Sequence, residues 1–466
     1  MPPPSSFFIE QFVDEALGNS AYLVGSRETR QAALIDPLRD VDRYLAAAEG
    51  QGVNITHVLD THLHADFVSG ARELAAQVGA RIGASAEAKV GFEHQPLVEG
   101  DLISLGHLTL SVLRTPGHTP EHISFLLNGD NAPTPTALFS GGALIVGGAA
   151  RTDLLGHDLS LPLARHLYHT LHDKIMVLPD AVNVYPTHGA GSFCAAPTSS
   201  DRVTTIGRER QHNVLAQARS EEEFVQLSLS GLPSYPVYYR EMRGVNQRGP
   251  QVFGGLPLLK PLSADEVQGY AERGTLVLDV RSKDAFAEAH LPGAYGIQLD
   301  APLSTWAGWL IPFGVPLVLV AENAGERADA IRQLIRIGYD NLTGYLADGL
   351  AAWGKAGLKT ESLPTISIRK LHEQLQSGDS LMVLDVRQDS EWETGHIPGA
   401  MHIEAGRLPW DDLPLPTDKP VVAYCARGAR STAGVSVLVR RGYRNVLQVR
   451  EGFDGWAEAG FEIATG

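Results

Sequence analysis

The chain reads as a multidomain α/β protein with mostly parallel sheets, and two observations carry that prediction. The first is an alternation of strand-like and helix-like runs in its C-terminal half. Short β-rich runs at 276–280 and 317–320 alternate with helix-like runs at 264–273 and 328–337. Parallel neighbours need a crossover between them, so strand-then-helix alternation builds a parallel sheet. The second is an internal repeat. Leu278-Asp279-Val280-Arg281 and His290-Leu291-Pro292-Gly293-Ala294 recur 106 positions later as Leu384 to Arg387 and His396 to Ala400, and Gly349 to Trp353 echoes Gly452 to Trp456. One recurrence per roughly hundred residues means tandem domains, not a solenoid.

The 466 residues, 44% of them hydrophobic, suffice for several ordinary cores. A net charge of −16 argues against nucleic-acid or anionic-membrane partners. Only two cysteines occur, Cys194 and Cys425, so no disulfide framework is implied and a reducing cytoplasm is the expected compartment. The opening Met-Pro-Pro-Pro-Ser-Ser lacks a basic region followed by an apolar run, so no leader peptide is expected. Nothing approaches a membrane-length apolar stretch.

In the N-terminal half, a β-rich run ends at Thr61, and His62, His64 and Asp66 follow in the next loop. Two imidazoles one residue apart can reach one ion, and a nearby carboxylate can serve a second. A lone histidine is usually a surface or satisfied core residue. Here two more follow in Gly-rich contexts, His118 in Thr-Pro-Gly-His-Thr and His188 in Pro-Thr-His-Gly-Ala-Gly. His122, four residues beyond His118, reads as a surface histidine. Cys194 follows His188 by six residues and either lines the same cavity or is a packed core cysteine; the packed reading is preferred.

This combination resembles the metallo-β-lactamase fold over residues 7 to about 250, which implies an αββα sandwich. The stretch Gly148 to Asp153, containing Arg151, and the segment Thr204 to Arg210 resemble the persulfide dioxygenase branch. That branch implies a single iron, with ligands corresponding to His62, His118 and the position held here by Gly142. Two departures stand out. Phe67 replaces the last histidine of the Thr-His-x-His-x-Asp-His motif, and Ser140-Gly141-Gly142 replaces Thr-Gly-Asp, removing a carboxylate. Three readings are open. His64 completes a three-histidine face with His62 and His118 around one iron or zinc; Asp66 supplies the missing carboxylate; or the site is inactive and the domain binds thiols. Hydroxyacylglutathione hydrolases, a neighbouring family, need two zinc ions, and these departures remove the second. Arg151 and Cys194 are candidate substrate-binding residues.

The second cysteine sits in Val-Val-Ala-Tyr-Cys-Ala-Arg-Gly-Ala-Arg-Ser-Thr, Val421 to Thr432. An apolar strand-like run ends at Cys425, a tight loop with Arg427, Gly428 and Arg430 follows, and Ser431 opens a helix-like run. A thiol wrapped by loop N–H groups at a helix N-terminus is placed where a thiolate is stabilised. Only four residues separate Cys425 from Arg430, so the cup is smaller than a phosphate cradle and suits one added sulfur. The loop resembles that of rhodanese-type sulfurtransferases, in which the cysteine carries a persulfide, and the flanking landmarks extend the resemblance over 366–466. In the first copy Ala321 aligns with Cys425 and Glu326 with Arg430, so 263–360 reads as an inactive rhodanese-like scaffold.

The expected organisation is therefore a metallo-β-lactamase-like domain at 1–250 with a C-terminal arm, an inactive rhodanese-like domain at 263–360 and an active one at 365–466. The Pro- and Tyr-rich stretch at 227–261 reads as an ordered arm packed on a domain. The resemblance implies sulfane-sulfur metabolism. Cys425 would take sulfur from thiosulfate or a small persulfide and pass it to a thiol, sulfite or cyanide; the N-terminal domain would oxidise glutathione-type persulfide to sulfite. The alternative is a sulfide- or thiol-responsive binding protein. A homodimer is the base-rate expectation.

Overall fold

The computed structural model describes residues 7–129, 134–195, 199–300 and 302–465. Met1 to Ser6, the stretch expected to hold no leader, lie outside the described residues. The chain divides into two compact units, Met1–Leu256 with Ile335–Gly338, and Pro257–Leu334 with Tyr339–Gly466. Among the described residues no helix is long and apolar enough to cross a membrane.

The first unit is the αββα sandwich. One six-stranded sheet runs in chain order from Phe7–Asp14 to Gln95–Leu97, and a second runs from Leu102–Leu105 to Thr204–Thr205. Strand periodicity explains the packing: in Leu108–Arg114, Leu108, Leu110 and Val112 are buried while their neighbours are partly exposed. These side chains meet Tyr22, Ile35, Phe125 and Phe139 in a core between the sheets, each worth roughly 1.5–3 kcal/mol on burial. Outside the first sheet, Asp42–Gln51 and Ala71–Val78 cover a second core through Tyr44, Ala48, Ala71 and Leu74. His157–His169 covers the second sheet through Leu167. The loops after Asn54–Leu59, Leu108–Arg114, Ala137–Gly141 and Asn183–Pro186 carry, in turn, His62 and His64, His118, Gly142, and His188 with Cys194.

The stretch read as an arm is ordered and includes the helix Tyr239–Arg248. Asn246 Nδ2 donates to the carbonyls of His64 (2.9 Å) and Phe67 (2.8 Å), and Tyr238 donates its hydroxyl to the Asp66 carbonyl (2.6 Å). The arm thus satisfies backbone groups of the histidine loop that burial would otherwise leave unpaired.

The second unit holds two five-stranded sheets of the same order, all strands parallel. In the first, Pro261–Leu262, Leu342–Leu346, Leu317–Val320, Leu276–Asp279 and Tyr295–Gly296 lie side by side; in the second, Thr365–Ile366, Val446–Val449, Val421–Tyr424, Met382–Asp385 and Met401–His402. The repeated Leu-Asp-Val-Arg segments perform the same task twice. Arg281 Nη2 meets Asp279 at 2.7 Å, and Arg387 Nη2 meets Asp385 at 2.7 Å. Two helices begin earlier than the sequence pattern suggests. Ala429–Arg440 starts directly after Gly428, whose φ of 98° makes it the N-cap. Ala324–Arg336 starts where the Asn323 side chain accepts from Glu326 N at 3.0 Å.

Candidate functional site

Around the first site, hydrogen-bond donors and acceptors decide the tautomer of each imidazole. Thr61 Oγ1 gives its one hydrogen to Asp36 (2.7 Å), so the His62 Nδ1 at 2.9 Å from it must donate. His188 Nδ1 faces two acceptors, Asn19 Oδ1 at 3.0 Å and Asp66 Oδ2 at 3.3 Å. His118 Nδ1 faces the Arg151 carbonyl at 2.7 Å. All three rings therefore carry hydrogen on Nδ1, and each presents a bare Nε2 lone pair when its ring is neutral. The Nε2 atoms of His62 and His188 stand 3.3 Å apart, and His118 Nε2 is buried without a partner.

Two lone pairs facing each other at that distance repel unless a proton or cation lies between them. A tetrahedral ion with bonds of about 2.0–2.1 Å separates its ligands by about 3.3 Å. The donor set fits a cation. Burial, followed by neighbouring histidines, holds His62 well below its ordinary value, and burial brings His118 down to about 3. His62 and His118 are therefore neutral ligands near pH 7.

His64 is oriented differently. Its Nε2 meets Asp36 Oδ1 at 3.1 Å, and its Nδ1 is buried without a partner. Ligand atoms of His62, His64 and His188 lie within 4.8 Å of one another, as do those of His118, His188 and Cys194. Asp66 Oδ2 accepts from Asn19 Nδ2 at 2.8 Å and faces His188 Nδ1 at 3.3 Å, which orients that ring, and Asp66 Oδ1 is buried without a partner. His122 is not the surface residue the sequence suggested. It is fully buried, its Nε2 accepts from Gly142 N at 2.9 Å, and its Nδ1 pairs with Thr115 Oγ1 at 2.8 Å. No lone pair is left for an ion.

The Arg151 guanidinium is engaged by Asp153 and by the carbonyls of Phe193 (3.1 Å) and Pro233 (2.8 Å). It reaches the site through its own carbonyl on His118. Cys194 is fully buried beside Asp66 and Tyr239, and burial followed by the Asp66 charge pushes its thiol well up. Sequence reasoning missed Asp36, which accepts from Thr61 and pairs with His64. Its signal was an acidic residue ending the apolar strand Gln31–Ile35.

The second site is compact. Cys425 follows the strand Val421–Tyr424, and its Sγ accepts from Gly428 N at 3.1 Å and lies 3.7 Å from Ser431 Oγ. The Gly428 carbonyl is held by Ser431 Oγ (2.9 Å), Thr432 Oγ1 (2.9 Å) and Gln448 Nε2 (3.0 Å). Phe453 N and Asp454 N, at the start of Gly452–Glu458, bind the carbonyls of Cys425 (2.8 Å) and Ala426 (3.1 Å).

The two arginines differ. Arg427 is 86% exposed at its side chain and pairs with Asp454, whereas Arg430 is mostly buried and forks onto Glu391. Lys283, from the first repeat, donates Nζ to the Arg427 carbonyl at 2.6 Å and to the Arg450 carbonyl at 3.4 Å. Arg430 lies 6.0 Å from the ring of Trp306, also in the first repeat. In that repeat, Ala321 follows the equivalent strand Leu317–Val320, and a cavity of about 560 Å³ lined by Arg281, Glu322 and Arg327 takes the place of the cup.

Residues 14–188 match the metallo-beta-lactamase superfamily, and residues 263–356 and 367–459 each match the rhodanese-like domain. The human mitochondrial persulfide dioxygenase ETHE1 is 33% identical over 213 residues, which is 44% of this chain and 74% of that protein. A hydroxyacylglutathione hydrolase of Polaromonas sp. is 31% identical over 248 residues, 47% of this chain and 90% of the hydrolase. The chain belongs to the metallo-beta-lactamase superfamily. Two rhodanese-like domains follow the metallo-beta-lactamase region. The crystal structure of a metallo-beta-lactamase from Staphylococcus aureus subsp. aureus COL aligns over 73% of this chain and 99% of its own, with 32% identity and a TM-score of 0.66.

Within the metallo-beta-lactamase superfamily domain, Phe67 fills its position as a fully buried ring stacked on His64 at 4.1 Å between centroids. A Cβ at Gly142 would lie 2.6 Å from His118 Cδ2 and 2.9 Å from Ala150 Cβ. A carboxylate-bearing side chain does not fit there while His118 keeps its place.

In the rhodanese-like region, burial raises the Glu391 pKa, but the Arg430 bond and charge outweigh it and hold the carboxyl below its ordinary range. The contribution of this pair is therefore full above the unfolded value of about 4.3. It is lost as pH falls through the lower folded value. The thermal midpoint is expected to drop in acid below about pH 4, and Glu391→Gln should flatten that part of the pH profile. An unchanged profile in the variant would refute the assignment. The effect is modest, because the pair is partly open to solvent.

Proposed function

We propose that the chain is an enzyme of sulfane-sulfur metabolism, a rhodanese-type sulfurtransferase acting through Cys425 and joined to a metal-dependent, persulfide-handling domain. The observation that carries the reading is the Gly428 N–H aimed at Cys425 Sγ at 3.1 Å, at the head of a buried helix. The proposed divisions are 1–250, 263–360 and 365–466, and the cysteine usage favours the cytoplasm.

In the transfer step, the Cys425 thiolate attacks the outer sulfur of thiosulfate. The new S–S bond forms as the old one breaks, and sulfite leaves with the bonding electron pair. Gly428 N–H and the Arg430 guanidinium face the negative charge held on the sulfur. A thiol, sulfite or cyanide then removes the terminal sulfur and restores the thiolate. Arg427 serves the outer rim, where its exposure lets it meet an arriving anion.

In the first domain, His62, His118 and His188 would hold one cation through Nε2, with His64 beside them and Asp66 orienting His188. Iron bound there would supply dioxygen chemistry, and zinc would supply a Lewis acid. Iron is the preferred metal, because the similar human protein ETHE1 is a persulfide dioxygenase. Oxidation of a glutathione-type persulfide to sulfite is the corresponding activity. The hydrolase likeness is weaker as a guide, since Phe67 and Gly142 leave a second metal without its ligands.

Intact-mass analysis after incubation with thiosulfate tests the proposal. The expected result is a gain of about 32 Da, one sulfur, mapping to residue 425 and removed by cyanide. The same preparation loaded with iron is expected to consume oxygen when given glutathione persulfide. No added mass at 425 would end the sulfurtransferase reading; no oxygen uptake would end the oxygenase reading.

A further inference from the structure

Gly142 leaves the first site without the carboxylate that the family pattern supplies, yet another potential anion lies close by. Cys194 is fully buried, and its Sγ lies within 4.8 Å of the ligand nitrogens of both His118 and His188. His118 Nε2 is buried without a partner, and His188 Nε2 faces His62 Nε2 at 3.3 Å.

One residue positions two members of this group. The Arg151 carbonyl holds His118 Nδ1 at 2.7 Å, and Arg151 N donates to the Cys194 carbonyl at 2.8 Å. The Arg151 guanidinium also binds the carbonyl of Phe193, the residue before Cys194, at 3.1 Å. A buried arginine with 4% exposure thus fixes an imidazole and a thiol in mutual reach. Metal-ligating histidines are commonly held this way, with the other ring nitrogen bound to a carbonyl or carboxylate.

We propose that Cys194 is a metal ligand, its thiolate joining His118 and His188 around one borderline divalent cation and supplying the negative charge that Gly142 cannot. This rests on the metal-binding reading above and deepens it. On binding, the Cys194 S–H bond breaks, the sulfur keeps the electron pair and donates it to the cation, and one proton leaves to solvent. No oxidant or reductant takes part. A mixed imidazole–thiolate set suits zinc, ferrous iron or cobalt and disfavours magnesium or calcium.

Cobalt is the probe. The full chain is stripped of resident metal with a chelator and titrated anaerobically with Co(II). The Cys425→Ser variant is decisive, because Cys194 is then the chain's only cysteine. The expected result is one cobalt per chain and a near-ultraviolet sulfur-to-cobalt charge-transfer band in both wild type and Cys425→Ser. Cys194→Ser should lose the band and bind cobalt at least tenfold more weakly. Cobalt bound to Cys425→Ser with ligand-field bands alone would overturn the thiolate ligand while leaving the histidine site standing. No cobalt retained by any form would overturn both. Because the first comparison keeps Cys194 intact, a folding defect in Cys194→Ser cannot mask the answer.

Discussion

Cys425→Ser is expected to lower thiocyanate formation from thiosulfate and cyanide by at least about a thousandfold. A serine hydroxyl is fully protonated near neutral pH and attacks sulfur poorly, so the loss falls on the chemical step. No other group in the chain can substitute. Cys194 is buried in the first unit, and the first repeat has Ala321 at the corresponding place. The fold should tolerate the change, because serine is close in size and its oxygen can still accept from Gly428 N. A thermal midpoint within a few degrees of wild type, together with lost activity, is the expected pair of results. More than a tenth of the activity remaining would exclude Cys425 as the sulfur carrier.

Gly452→Ala is expected to damage the same loop through the backbone, and Gly349→Ala provides its internal control. Both glycines occupy the left-handed region, with φ of 74° and 59°. Each substitution therefore carries the cost of forcing alanine into that region, about 1–2 kcal/mol. They differ in what the new methyl meets. At Gly452 a Cβ would lie 2.2 Å from the Ala426 carbonyl oxygen and 2.6 Å from the Cys425 oxygen, whereas at Gly349 nothing lies within 4 Å.

The obstacles at Gly452 are main-chain atoms of the cup, so the loop itself must move. Overpacking adds about 1–3 kcal/mol of destabilisation, and a shift of roughly 1 Å near reacting atoms costs on the order of a hundredfold in rate. Sulfurtransfer should therefore fall about a hundredfold in Gly452→Ala and stay within about twofold of wild type in Gly349→Ala. Equal activity losses in the two variants would refute the steric account. Thiosulfate:cyanide assays alongside thermal unfolding separate the rate effect from the stability effect.

The parts of this architecture that were legible in the sequence are those written in local patterns. The Leu-Asp-Val-Arg repeats, the Cys425 loop and the strand–helix alternation each occupy a few consecutive residues, and the two parallel sheets follow from them. The histidines of the first site were legible for the same reason. What orients them was not, because it comes from distant segments. Asn246 reaches His64 across 182 positions, and Asn19 reaches His188 across 169.

His122 was misjudged because a histidine in a Gly/Thr loop carries no local sign of burial. Only the fold reveals the Gly142 N–H plugging its second nitrogen. The unlike roles of Arg427 and Arg430 were equally hidden, since Glu391 lies 39 positions before Arg430. Charge in a loop can be counted from sequence; its neutralising partner is a matter of three dimensions.

Lys283 gives the repeat that has Ala321 a hold on the one that carries Cys425. Its ammonium bridges the carbonyls of Arg427 and Arg450, which flank the cup on two sides. A domain with alanine where its neighbour has cysteine is then a strut for the neighbour's loop. Cutting it away would strip a charged donor from each carbonyl and let the loop relax, so the two halves of this duplication stay coupled in shape.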